Sequence, residues 1–169
     1  MPDAAALVDQ IISEHKIIIK ELRATEQVAN DAGALVVLEQ AKEGFVPGRL
    51  DQGQGLQKLQ QALEKTDQGL RAHFSREETA LLAAFEQYGD SRLVTALNSL
   101  LHEHKDLTSR LDQAKEDVAN LVGGKLTSQR WQATAGDMRV HLTHTRKLLE
   151  AHAEIENELL VELRKRLKG

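Results

Sequence analysis

Apolar residues recur along the chain in alternating steps of three and four, the spacing that places side chains on one face of an α-helix. The pattern is interrupted three times, at residues 44–48, 89–91 and 123–128, where Gly, Pro, Asp, Ser and Thr gather. It therefore predicts four helices, at about residues 3–42, 54–88, 91–121 and 128–167. Asp90 or Ser91 is suited to cap the third helix, and a Thr or Ser the fourth.

Each predicted helix carries one apolar stripe that we expect to face inward. The stripe residues are Val8, Ile11, His15, Ile18, Leu22, Thr25 and Ala29 in the first helix; Leu56, Leu59, Leu63, Thr66, Leu70, His73, Glu77, Ala80 and Ala84 in the second; Leu93, Leu97, Leu100, His104, Leu107, Leu111, Ala114, Val118 and Leu121 in the third; and Trp131, Thr134, Met138, His141, Thr145, Leu148, His152, Leu159 and Leu163 in the fourth. Short connections make consecutive helices antiparallel neighbours. The expected fold is all-α, an up-down-up-down four-helix bundle with one domain over residues 1–169.

Composition narrows the possible functions. The chain has no cysteine, which excludes disulfides, iron–sulfur clusters and thiol catalysis. Its formal net charge of -4 argues against a nucleic-acid partner. No apolar run approaches the roughly 18 residues of a membrane span, and the start of the chain lacks the features of a signal peptide. We therefore expect a cytoplasmic protein that does not enter a membrane.

A histidine stands where a leucine would be expected in every stripe: His15, His73, His104 and His152. An unpaired buried imidazole is costly. A single one is more often a satisfied core residue, but four, one per helix, need a common cause. His73 lies about 15 residues before the second turn and His104 about 14 after it, so the ~1.5 Å rise per residue puts them level. The numbers of residues between each histidine and the turn agree less well elsewhere. They are about 27 against 20 across the first turn and about 17 against 25 across the third.

Two of these histidines are followed four residues later by a glutamate, Glu77 and Glu156. Residues so spaced share one helical face, so each pair can bind one metal ion through nitrogen and reach a second through the carboxylate. An internal repeat supports this, because residues 14–16 match residues 103–105, and residues 70–77 match residues 149–156. Two copies of a helical hairpin predict a pseudo-two-fold site for two metal ions. The mixed nitrogen and oxygen set suits iron, with manganese or zinc as substitutes.

Other interpretations explain less. A plain bundle, with the histidines bonded to neighbouring Thr, Gln or Glu, predicts neither the repeat nor the paired carboxylates. A ferritin-like site needs Glu-x-x-His and a zinc protease His-Glu-x-x-His, and the sequence has neither. His102 forms a competing pair with Asp106 but lies off the stripe. His141 is ~16 Å along the axis from His152, too far to share its metal. We expect His141 to be a core hydrogen-bonder rather than part of an access path, and His144 to be structural or exposed.

The order His, His-x-x-x-Glu, His, His-x-x-x-Glu on four helices resembles the hemerythrin-like, or HHE cation-binding, domain. The segments at residues 14–17 and 72–78 are similar to the wording usual in that family, and the resemblance covers nearly the whole chain. It implies two iron ions bridged by an oxo or hydroxo group. The implied metal ligands are His15, His73, Glu77, His104, His152 and Glu156.

The chain departs from the oxygen-carrying hemerythrins. Those proteins have five histidines, with His-x-x-x-His on the third helix, whereas Leu100 and Thr108 stand four residues either side of His104 here. The spacing to Glu156 is also four rather than five. Two histidines per iron leave an open position on both metals, which permits activation of a small molecule. A pure oxygen carrier is therefore not the expected function.

Three hypotheses follow. The first is a redox-active di-iron protein that binds or reduces a small oxidant, namely dioxygen, hydrogen peroxide or nitric oxide. The second is a non-catalytic binder of oxygen or nitric oxide, or an iron or redox sensor, and the third is a partner-binding bundle without metal. The sequence identifies no redox partner. For the first hypothesis we expect a dry pocket beside the metals, lined by Ile18, Ile19, Leu22, Leu107 and Leu111.

Overall fold

A computed structural model describes residues 4–42, 55–123 and 126–168, and these are helical apart from residues 89–90, 123 and 126–127. The elements in chain order are α1 (Ala4–Lys42), α2 (Gly55–Arg76), a π-helical turn (Glu77–Leu81), α3 (Leu82–Tyr88), α4 (Ser91–Val122) and α5 (Ser128–Lys168). α2, the π turn and α3 follow one another without a break and form one rod. The predicted all-α architecture of four helical rods is confirmed for the described residues.

The four rods pack as a closed ring in which α1 contacts α2 and α5, and α4 also contacts α2 and α5. Neighbours run antiparallel. Arg166, near the end of α5, pairs with Asp90, directly before α4, while Trp131, near the start of α5, donates its indole N–H to the Leu121 carbonyl near the end of α4. This arrangement gives each rod an inward face that is covered by the other three.

The core consists of two apolar clusters with a polar layer between them. One cluster contains Ile18 and Leu107, and the other contains Ile11 and Leu100. His15 lies between Ile11 and Ile18 on α1, and His104 lies between Leu100 and Leu107 on α4. The histidines therefore occupy one level of the bundle, in the middle of a stack of leucine and isoleucine layers.

The predicted stripes of the first and third helices are buried at every position. In the fourth, Thr134, His141 and Leu148 are only half-buried, while Ala135, Leu142 and Leu149, one position further along, are buried. The reason is that α5 packs against both α1 and α4, so its buried face is wider than one stripe. The Leu56 side chain lies outside the described residues.

The second predicted helix is wrong in one respect, because it is not α-helical throughout. The Leu82 N–H bonds to the Glu77 carbonyl five residues back, which defines the π turn. As a result Ala80, predicted to face inward, is exposed, and Leu81 is buried instead. Residues spaced by four, such as Glu77, Leu81 and Phe85, move gradually around an α-helix because it has ~3.6 residues per turn. The wider π turn accommodates one extra residue, so Leu81 and Phe85 still face the core.

The predicted caps are present at both short turns. The Asp90 carboxylate accepts a hydrogen bond from the Leu93 N–H at 2.9 Å and caps α4. The Thr127 hydroxyl oxygen accepts one from the Arg130 N–H at 3.3 Å and caps α5. Among the described residues, no helix combines the length and apolar character needed to cross a membrane.

Candidate metal centre

Six buried side chains from all four rods meet at the polar layer, and none is more than 4% exposed. They are His15 from α1, His73 from α2, Glu77 from the π turn, His104 from α4, and His152 and Glu156 from α5. The uneven residue counts across two of the turns do not separate them. The contact between His141 and Asp117 sets the register of α5 against α4. Counted from this contact, His104 lies 117 − 104 = 13 residues away along α4, and His152 lies 152 − 141 = 11 residues away along α5. The two histidines are therefore at nearly the same depth.

The two glutamates connect the four imidazoles. One oxygen of Glu77 is 3.0 Å from Nε2 of His104, and the other is 3.3 Å from Nε2 of His73 and 3.5 Å from Nε2 of His15. The two oxygens of Glu156 lie 3.1 Å from Nε2 of His15 and 3.4 Å from Nε2 of His152. Each carboxylate therefore touches rings from both copies of the repeat.

These contacts define two overlapping groups of potential ligand atoms, each within a span of 4.8 Å. One group contains His15 and His73, the other contains His104 and His152, and both contain Glu77 and Glu156. This division into two halves that share two carboxylates is the pseudo-two-fold arrangement that the repeat predicts.

The atoms that face the centre have no hydrogen-bond partner. All four Nε2 atoms and both carboxylate oxygens of Glu77 and of Glu156 are buried and unsatisfied. Such groups are rare in protein interiors because burying them unpaired is costly. Bound metal ions would satisfy all eight atoms, so the residues present fit a metal centre.

A family model for the hemerythrin HHE cation-binding domain matches residues 6–163. The chain belongs to this family. Hemerythrin domains bind metal ions, usually iron, and the clustered His and Glu side chains fit that property. Comparisons with curated proteins and with solved structures give no significant match.

The protonation states in this hemerythrin domain favour metal binding. Burial alone would raise the pKa of Glu77, but the imidazoles of His104, His15 and His73 together hold that pKa well below its usual range. Burial lowers the pKa of His152, and it outweighs the opposite effect of Glu103. Glu77 is therefore ionised and His152 neutral at pH 7, which are the forms that bind metal ions.

Three of the four histidines are held by a hydrogen bond from Nδ1, the ring nitrogen that faces away from the centre. His15 donates to the Asn157 side-chain oxygen at 2.8 Å, His73 to Glu14 at 3.1 Å and His152 to Glu103 at 3.1 Å. A proton on Nδ1 leaves the Nε2 lone pair pointing inward. Sequence reasoning missed this role, although Glu14 and Glu103 stand in the repeated Glu-His-Lys segments.

Arg76 supports one of these partners. Its guanidinium donates to both oxygens of Glu14, one of them through Nε at 3.1 Å. Glu14 is thus held between the cation of Arg76 and the ring of His73. A two-pronged contact of this kind fixes the position and orientation of the carboxylate.

His104 is held differently from the other three. The Phe74 ring stacks on its imidazole, with ring centroids 3.6 Å apart and planes 7° from parallel. Its Nδ1 is buried without a hydrogen-bond partner, and the nearest carboxylate oxygen, Oε1 of Glu78, is 3.5 Å away. Sequence reasoning placed neither Phe74 nor Glu78 in the site.

A narrow apolar cleft borders the centre on the side of His15, His73 and His152. Of the predicted pocket residues, Ile18 and Ile19 line it. Leu22, Leu107 and Leu111 do not, and they are buried in the neighbouring apolar cluster. The rest of the lining is Leu70, Phe74, Leu149 and Ala153, and the cleft has no space for a water molecule.

The other three histidines lie outside the centre. His102 is exposed, as its place off the stripe predicts. His141 is half-buried and its Nδ1 lies 3.0 Å from the Asp117 carboxylate, which agrees with a core hydrogen bond rather than a ligand role. His144 is exposed.

Proposed function

We propose that this hemerythrin domain holds two iron ions and binds or reduces a small oxidant, namely dioxygen, hydrogen peroxide or nitric oxide. His15 and His73 would hold one ion, and His104 and His152 the other. Glu77 and Glu156 would bridge them together with an oxo or hydroxo group. One observation carries the proposal: four imidazole nitrogens and four carboxylate oxygens converge, buried and without hydrogen-bond partners.

The donor set favours iron over softer or harder metals. Imidazole nitrogen suits iron and zinc, carboxylate oxygen suits harder ions, and a mixture with no sulfur is typical of non-haem iron. Two histidines and two shared carboxylates leave room at each ion for an exogenous molecule. Bound iron would supply the redox chemistry, while the protein positions the rings and keeps the centre dry.

The cleft supports a small ligand. Ile18 and Ile19 on one side and Ala153 on the other form an apolar wall next to three of the four imidazoles. An uncharged diatomic or peroxide can cross such a wall when side chains move, whereas hydrated ions and larger substrates are excluded. The apolar residues around the cleft thus favour a small oxidant over a bulky organic substrate.

The experiment begins with purification from iron-supplemented cells, metal analysis and absorption spectra of the oxidised and reduced protein. We expect two irons per chain and the bands of an oxo-bridged di-ferric unit. Consumption of oxygen, hydrogen peroxide and nitric oxide is then measured with the reduced protein. Glu77→Ala should remove both the spectrum and the reaction.

Glu154→Ala is the matched control, because Glu154 is an exposed carboxylate two residues from Glu156 on α5. It should retain the iron and the spectrum. Stoichiometric binding without turnover would favour the oxygen or nitric oxide binder or sensor. A protein that retains no metal after iron-rich growth would contradict the proposal as a whole.

A further inference from the structure

The two halves of the centre differ in the residue that follows each shared glutamate. Asn157 follows Glu156, and its oxygen accepts the Nδ1 hydrogen of His15 at 2.8 Å. Glu78 follows Glu77, and its Oε1 lies 3.5 Å from Nδ1 of His104. Glu78 and Asn157 therefore occupy equivalent places in the repeat, but one is a carboxylate and the other a neutral amide.

The outer charges of the two halves differ accordingly. The half with His15 and His73 has Asn157, which is neutral, and Glu14, which is paired with Arg76. The half with His104 and His152 has Glu78 and Glu103, and within the described residues neither is recorded in an ion pair with Lys or Arg. Within the described part of the chain, these two carboxylates therefore lack the arginine partner that Glu14 has.

A carboxylate that accepts the Nδ1 hydrogen makes an imidazole a stronger donor to a metal, more so than an amide does. Glu78 is 51% exposed, so water screens its charge through space. The effect must therefore pass through the ring of His104. The buried Nδ1 of that ring has no hydrogen-bond partner, and Oε1 of Glu78, at 3.5 Å, is placed to accept its hydrogen.

We propose that Glu78 is a positioning residue for His104 and makes the two metal positions unequal. The position formed with His104 and His152 binds a divalent ion first and more tightly than the position formed with His15 and His73. This inference rests on the proposed metal centre and deepens it. The pseudo-two-fold repeat supplies two similar positions, and the difference between Glu78 and Asn157 breaks their equivalence.

The test is an anaerobic titration of the metal-free protein with Co²⁺, in which calorimetry and the absorption spectrum of bound Co²⁺ measure binding. The wild-type protein should bind two ions in two resolved steps. Glu78→Gln keeps the size of the side chain and removes its charge. It should weaken the tighter step by about 10- to 100-fold, the usual effect of losing the partner of a metal ligand, and leave the other step unchanged.

Asn157→Asp is the mirror variant, and it should tighten the weaker step. Glu78→Gln combined with Asn157→Asp keeps the net charge and should restore two unequal steps. Glu154→Gln removes an exposed carboxylate near the centre that is not recorded next to a ligand ring, and it should change neither step. Circular dichroism checks that each variant folds. If Glu78→Gln does not fold, Asn157→Asp still tests the inference independently.

Two equal steps in the wild-type protein would overturn the inference. So would a Glu78→Gln variant that leaves both steps unchanged, or weakens both alike, because neither result assigns Glu78 to one position. These outcomes leave the metal centre intact. Failure of the wild-type protein to bind Co²⁺ at all would instead contradict the proposed function, and this inference with it.

Discussion

Glu77 and Glu156 are fully buried carboxylates whose recorded ion-pair partners are histidines. Buried charges of this kind persist in proteins when they are paired or bind a metal. Sequence spacing singled out both residues because each follows a stripe histidine by four. The spacing could not show that each glutamate would touch rings of both halves, since that depends on how four helices approach one another.

Ile19 is the residue at which access to the centre can be tested. It lines the inner cleft and also two outer grooves beside α5, so it separates the centre from solvent. Ile19→Ala should widen this route. We expect the reaction with a bulky alkyl hydroperoxide to rise by about tenfold relative to hydrogen peroxide, a gain equivalent to about 1.4 kcal/mol in the barrier.

Rates with both peroxides, measured at equal iron content, check this prediction. Ile17→Ala is the matched control, because Ile17 is on the same helix and its side chain is 54% exposed. It should leave the ratio of the two rates unchanged. Equal effects of the two substitutions would show that Ile19 is not a barrier to larger oxidants.

At the scale of elements, the π turn is where the two halves of the repeat differ in backbone. His73 lies in the last turn of α2 and Glu77 begins the π turn, whereas the corresponding His152 and Glu156 both lie in the uninterrupted α-helix α5. The steps of four from His73 to Glu77, Leu81 and Phe85 were a visible signal of this. The apolar periodicity of the helix did not reveal the π turn, because a single extra residue shifts the apolar stripe only locally.

Deletion of Ala80 tests the role of the π turn. Because Ala80 is the exposed residue that the turn accommodates, its loss should return the rod to α-helix and keep Leu81 and Phe85 buried. We expect a small loss of stability, about 1 kcal/mol, measured by urea unfolding of the metal-free protein.

Deletion of Glu158 is the comparison. Glu158 is exposed in regular helix, and removing it turns the buried Leu159, Leu160 and Leu163 away from the core. That variant should lose several kcal/mol, as other disruptions of a packed core do. If both deletions are equally damaging, the π turn does not absorb a spare residue.

The capping residue Asp90 gives a prediction about pH. The Leu93 N–H lowers the pKa of Asp90 below its ordinary value of 3.8, and Arg166 and Arg92 add to this. A carboxyl with a lowered pKa in the folded state stabilises the protein above its unfolded pKa, and this is lost as the pH falls through the folded pKa. Asp90→Asn retains a capping side chain but not the charge. Its Tm should therefore be lower than that of the wild-type protein at pH 7, and the difference should vanish in acid.

Thermal unfolding between pH 7 and pH 2.5 checks this. Asp90→Ala, which has neither charge nor cap, should be less stable than Asp90→Asn at every pH because Asn is a good capping residue and Ala is a poor one. A deficit of Asp90→Asn that does not change with pH would mean that the charge contributes nothing.

For the whole molecule, the centre is a level at which all four rods present buried polar side chains that contact one another. Apolar clusters lie on both sides of it. Metal binding at this level therefore links four rods that the apolar layers already hold in place. The bundle should fold without metal and become more stable with it.

Addition of Mn²⁺ to the metal-free protein tests this coupling without redox chemistry. At a free concentration of 100 times Kd, binding to one position should add about 2.7 kcal/mol to the free energy of unfolding. Urea unfolding measures the gain. Glu77→Ala should show little of it, and an equal gain in Glu77→Ala would place the bound ion elsewhere.

The sequence by itself determined the four helices, the full inward stripes of the first and third of them, the two-copy repeat and the six side chains that meet at the centre. All of these follow from spacing within one helix or from similarity between short segments, which neighbouring residues encode. Only the tertiary structure decided the π turn's effect on Leu81, the stacking of Phe74 on His104, and the partners of the outer ring nitrogens. The hydrogen bonds of His152, His73 and His15 join residues 49, 59 and 142 positions apart, and no local pattern encodes which distant side chains will meet.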